Sequence, residues 1–144
     1  MSIRDTWENF EREMGEKAKV VLSEEFKKLF ELYPDAISFG FGAWTDGFND
    51  GDTCYFRYRE WKTSINGVDT GEIYQYSDGT VNCDLEKDDE FWLENKNWVI
   101  PFYQSAWNII YDIPEEFFKS IFGDDRIVTI NRDGTINLEI TDHD

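Results

Sequence analysis

An α+β fold, a mostly antiparallel sheet of hairpins with helices packed on one face, follows from three observations. The stretch from Ala36 to Trp61 holds two strand-like runs around a Gly/Asp/Asn-rich loop. Two further strand pairs are each punctuated by Asp-Gly-Thr. The remaining apolar positions, near the N-terminus and between residues 89 and 122, recur at helical spacing.

The helical reading begins at Asp5 or Thr6, either of which can cap, with Glu8 three residues beyond Asp5. Trp7, Phe10, Met14, Ala18 and Val21 recur at threes and fours, and Leu22, Phe26, Leu29 and Tyr33 continue on a rotated stripe. This predicts either one amphipathic helix to about residue 33 or a helix broken near Gly15 or Ser23, with its apolar stripe in the core. A partner-binding seam is the alternative for that stripe. Pro34 ends the helix, because proline rejects helical geometry in the residue before it.

In the central hairpin Ile37, Phe39, Phe41 and Ala43 share one parity and so one strand face. The return run places Cys54, Phe56 and Tyr58 on one face and Tyr55, Arg57, Arg59 and Trp61 on the other. A turn is predicted at Asn66-Gly67, then a hairpin from residues 72–76 and 80–85 about Asp78-Gly79. Residues 127–131 and 135–140 form a third hairpin about Asp133-Gly134, the same turn chemistry used twice. Between them Asp88 or Asp89 caps a helix carrying Phe91, Trp92, Asn95 and Trp98, which Pro101 is expected to break. A second helix then ends near Asp112. Pro114 opens a third, Glu115 to Phe122, with Gly123 as its stop. Domain boundaries do not appear, and residues 1–144 are read as a single domain.

Charge narrows the function classes. The chain carries 31 acidic and 14 basic residues, a net charge of −17, and acids outnumber bases in every part of it. No acidic tail accounts for the excess, so a folded negative surface is expected. Direct nucleic-acid binding is disfavoured; a basic protein partner is favoured. Candidate partner-binding residues are the acids at helix ends: Asp88, Asp89, Glu90, Glu94, Asp112, Glu115 and Glu116. Solvent-facing acids of the first helix join them.

Catalytic chemistry finds little support, and a non-enzymatic protein is expected. The single histidine, His143, is next to the last residue, a poor base for a nucleophile. Asp46, Asn49, Asp50 and Asp52 crowd one loop, but a calcium-loop register places Phe48 and Arg57 at ligand positions. A turn role is preferred, with no metal and no cofactor. Cys54 and Cys83 are read as small hydrophobes rather than a disulfide. No apolar run reaches a membrane span and no signal segment precedes the domain, so a cytoplasmic protein without membrane contact is expected.

A second binding reading rests on the central hairpin. Ser38, Gly40 and Gly42 beside Tyr55, Arg57, Arg59 and Trp61 would make a shelf for a planar anionic or nucleotide-like ligand. The competing explanation is close packing on the glycines, with the arginines paired to nearby acids. Six tryptophans also favour exposed aromatic patches and hence a homodimer.

The segment Trp44-Thr45-x-x-Phe48-Asn49-Asp50-Gly51-Asp52-x-Cys54-x-Phe56 resembles one found in small, uncharacterised bacteriophage-encoded proteins. It spans 13 of the 144 residues and brings no active site with it. What it implies is a phage origin. With the charge, it points to an acidic inhibitor, resembling a nucleic-acid mimic, that covers the basic nucleic-acid-binding surface of a host enzyme or defence system.

Overall fold

The computed structural model describes residues 2–46, 51, 54–83, 85 and 89–141. A single 30-residue helix, α1 (Ile3–Leu32), opens the chain. Ser2 caps it, three residues before the expected start: its hydroxyl accepts from the Asp5 N–H and the Asp5 carboxylate accepts from the Ser2 N–H. The helix runs through Gly15 and Ser23 without a break.

Five strands form one antiparallel sheet in the order β3-β2-β1-β6-β7. They are β1 (Ser38–Thr45), β2 (Phe56–Ile65), β3 (Val68–Asp69), β6 (Arg126–Asn131) and β7 (Ile136–Ile140). A separate two-stranded ladder joins β4 (Tyr74–Gln75) to β5 (Val81–Asn82), shorter than the expected hairpin but in the expected place. Asn66 and Gly67 both adopt positive φ, the turn expected between β2 and β3. The two Asp-Gly-Thr turns are near copies. Asp78 and Asp133 each accept from the amide (2.9 Å) and hydroxyl (2.6 Å) of the threonine two residues on. Those bonds hold both carboxyls below the usual carboxylate range.

The helices lie on one sheet face. Phe39 and Phe41 of β1 are fully buried and anchor a ring cluster. Phe39 meets Phe26 of α1 at 5.6 Å and Trp107 at 5.8 Å; Phe41 meets Trp107 at 5.3 Å and Phe118 at 5.7 Å. Trp107 belongs to α2 (Glu90–Tyr111) and Phe118 to α3 (Glu115–Phe122). Large rings bury much area per residue, which suits a chain poor in aliphatics. The charged ends of the fold are also tied: Asp124 accepts from the Thr45 N–H at 2.8 Å and hydroxyl at 2.6 Å. Burial pushes the Asp124 carboxyl up, but these bonds, the Asp125 N–H and Lys119 outweigh it and hold the pKa low.

Three expectations are corrected. Pro101 does not break the second helix; α2 is continuous across it. One backbone bond to Asn97 is forgone, and the burial of Val99, Phe102, Tyr103, Ala106, Trp107 and Ile110 on both sides of the proline outweighs that cost. Trp7, Phe10, Met14 and Val21 are exposed, not core; the buried stripe of α1 is Gly15, Leu22, Phe26, Leu29 and Phe30. Cys54 is exposed, and Cys83 is half-buried. Among the described residues, no helix is long and apolar enough to cross a membrane. The expectations placed on Asn49, Asp50, Asp52, Asp88 and His143 lie outside the described residues.

Candidate functional site

The central hairpin is interrupted by a bulge that builds a recess. Phe39 pairs with Ile65 and Gly40 with Ser64, yet Gly42 pairs with Arg59. Phe41 alone therefore faces the four residues Glu60, Trp61, Lys62 and Thr63 of β2. The Thr63 hydroxyl donates to the Glu60 carbonyl and closes the bulge. Bulges re-aim side chains, and this one turns Glu60 toward α2 while leaving Trp61 exposed. Thr63 is fully buried, and its oxygen accepts from the Trp107 indole at 3.1 Å.

Beside the bulge, Trp61, Tyr74, Tyr76, Glu72 and Asn82 line a cleft of about 460 Å³. The rings of Tyr74 and Tyr76 meet edge to face at 4.7 Å, and both are exposed. Glu72 is the carboxyl of this cleft, and it lies close enough to the half-buried Glu60 for the two to repel. Burial first, and then the nearby Glu72 carboxyl, raise the pKa of Glu60; the Tyr111 hydroxyl partly offsets the rise. The Tyr103 and Tyr111 phenols are raised too, by burial first and then by the same carboxyls. They therefore stay protonated. Tyr103 is buried, and its hydroxyl has no partner of good geometry, although the Ile73 backbone and Thr63 lie near it.

Such a recess is suited to a cation. The Glu72 carboxylate supplies the charge, and exposed ring faces supply the quadrupole that attracts an ammonium or guanidinium. The rest of the chemistry is sparse: no group of three or more His, Cys, Asp or Glu among the described residues could hold a metal ion.

The acids expected to bind a partner fall into two groups at opposite ends of α2, a helix of 22 residues and so about 33 Å long. At its start, Asp89 caps the helix through the Trp92 N–H (3.2 Å), with Glu90 and Glu94 exposed. At its far end Asp112, Glu115 and Glu116 are exposed, Glu115 also accepting from the Tyr58 N–H at 3.2 Å. Neither group forms an ion pair with a described residue. Ion pairs between described residues are three: Lys28–Glu25, Arg59–Asp46 and Lys119–Asp124.

The residues read as an anion shelf are dispersed. Arg59 donates to Asp46 (2.6 Å) and to the Trp44 carbonyl (2.9 Å) and lies over the Trp44 ring. Gly42 packs under that ring, where an added Cβ would stand 2.5 Å from Trp44, and Gly40 packs under the Ser64 hydroxyl. Tyr55 and Arg57 line a different cleft with Glu115, Glu116 and Lys119, where an anion would meet two carboxylates. Trp61 alone reaches the carboxyl-lined recess.

Sequence reasoning missed Glu60 and Glu72. The sequence carries no signal for them: the runs 36–44 and 53–61 are equal in length, and the extra residues of β2 appear only in the strand register. Compared with known protein families, curated proteins and solved structures, the chain matches none.

Proposed function

We propose that this chain is a non-enzymatic, acidic interaction protein of the cytoplasm that occupies the basic, nucleic-acid-binding surface of a protein partner. One observation carries the reading: a net charge of −17 accompanied by only three ion pairs between described residues. Like charge held on a folded body costs stability by self-repulsion. A lysine- and arginine-rich surface relieves that cost, and nucleic-acid-binding clefts concentrate those residues. Two exposed acid groups at the ends of α2 spread the contact. The recess of Glu72, Trp61, Tyr74, Tyr76 and Asn82 accepts one arginine side chain within it. In the setting that the Trp44–Phe56 segment implies, the partner is a host enzyme or defence protein, and the phage protein blocks it as a nucleic-acid mimic.

The test is capture of partners from a bacterial lysate, with the complex then challenged by duplex DNA and by salt. Release of the partner by both supports the reading. A complex that ignores ionic strength and duplex DNA refutes it.

A further inference from the structure

The first half of α1 carries an apolar stripe that the fold does not use. Ile3, Trp7, Phe10 and Met14 are 90%, 59%, 52% and 46% exposed. Their spacing of four, three and four is that of a two-helix seam. At about 100° per residue they lie within an arc of roughly 60°, turned about 100° from the buried stripe. Buried positions of α1 begin only at Gly15, against Ile121 of α3. The Trp7 and Phe10 rings stack on each other at 5.7 Å, beside a groove of about 380 Å³ lined by Ser2, Ile3, Thr6, Trp7 and Phe10. Such a patch on an otherwise strongly charged chain marks a docking surface.

We infer that two copies of this chain pair antiparallel through residues 3–14 of α1. Antiparallel pairing centred between Trp7 and Phe10 sets Ile3 against Met14 of the second copy and Trp7 against its Phe10, each layer occurring twice. The flanks then match: Arg4 faces Glu11 of the second copy at both ends, and Thr6 faces its Glu13. Parallel pairing offers no such charge match, aligns the two helix dipoles head to head and sets two bodies of charge −17 side by side. The antiparallel arrangement separates the bodies by the overlapped arms, roughly 17 Å of helix, about twice the screening length at physiological salt. Four large side chains per copy make less than a standard interface, so association in the micromolar range follows. This inference stands apart from the proposed function, since the stripe is apolar and holds none of the acids at the ends of α2.

Sedimentation equilibrium of the full chain across micromolar to hundreds of micromolar concentration tests it. Wild type is expected to dimerise, and the double variant Trp7→Ala with Phe10→Ala to weaken the dimer on the order of 100-fold while keeping the thermal midpoint of the monomer, measured at a concentration below dimerisation, both side chains being exposed. Arg4→Glu alone, or Glu11→Arg alone, is expected to weaken it about threefold to tenfold, and the two together to restore it. A monomer at every concentration overturns the inference. So does a dimer indifferent to Trp7 and Phe10, and single charge reversals without effect, or without mutual rescue, overturn the antiparallel geometry.

Discussion

Replacing Gly15 by alanine tests whether α1 is one rod carrying the exposed stripe or two pieces hinged at the glycine. Gly15 sits inside a 30-residue helix, without positive φ, and an added Cβ would meet the Ile121 Cγ2 at 3.6 Å, an ordinary contact distance. Alanine in a helix interior is about 0.8–1.0 kcal/mol better than glycine, and the methyl gains a partly buried neighbour. A gain of about 1 kcal/mol is therefore expected. For a chain of this size that corresponds to a rise in Tm of about 4 °C, or a shift of about 0.5 M in the urea midpoint at a slope of about 2 kcal/mol per molar. Equilibrium urea unfolding followed by circular dichroism measures it, and helical signal should not fall. An unchanged or lowered midpoint refutes the reasoning, because it requires either a non-helical Gly15 or an α3 packed too close to admit a methyl.

Gly42→Ala is the opposite case: its Cβ would lie 2.5 Å from the Trp44 ring, forcing Trp44 off Trp61 and Arg59, and a loss of about 1–3 kcal/mol is expected in the same unfolding assay. Thr63→Val removes the acceptor of the buried Trp107 indole and the bond that closes the bulge; a loss of about 1–3 kcal/mol should appear in urea, with binding of arginine-rich peptides weakened in parallel. The pH dependence follows from two opposite signs. Glu60 has a raised folded pKa, so its favourable contribution is full below the unfolded glutamate value and disappears as pH rises through the folded one. Glu60→Gln should therefore stabilise the protein at neutral pH, with the gain vanishing in acid; a loss at neutral pH contradicts this. Asp124 is depressed, so its contribution is present above the ordinary aspartate range and lost as pH falls through its folded value. Asp124→Asn should cost most at neutral pH and little in strong acid, as urea midpoints across pH would record.

The parts of the fold that were legible are those decided by local chemistry. Pro114 and Gly123 bracket α3 because one pre-sets helical φ and the other takes the positive φ of a C-terminal stop. The two Asp-Gly-Thr turns repeat because the same side-chain bonds recur in the same three residues. The core face of β1 was legible in Phe39, Phe41 and Ala43, but Ile37, expected on the same face, is exposed, and Gly40, Gly42 and Trp44 on the other face are buried as well. What depended on distant partners was not. Helical periodicity marks both stripes of α1 as apolar, but only the position of α3 and the sheet decides that Leu22 and Phe26 are buried while Trp7 and Phe10 are not. Pro101 is tolerated through packing on either side of it, which a propensity argument does not see. The recess escaped because Glu60 and Glu72 are unremarkable among 31 acids until a bulge and a separate strand bring them together. Arg59, by contrast, was legible in its structural role, the pairing with a nearby acid, and that role removes it from the anion shelf.

The central claim is that exposed carboxylates without an ion-pair partner among the described residues, at one recess and two helix ends, meet a basic protein surface. Calorimetric titration with an arginine-rich peptide over a range of salt concentrations, for wild type and Glu72→Gln, tests it most directly. The account predicts binding that weakens steadily with salt and is about tenfold weaker in the variant at low salt. No binding of the peptide, or an affinity that neither salt nor Glu72→Gln alters, would contradict it.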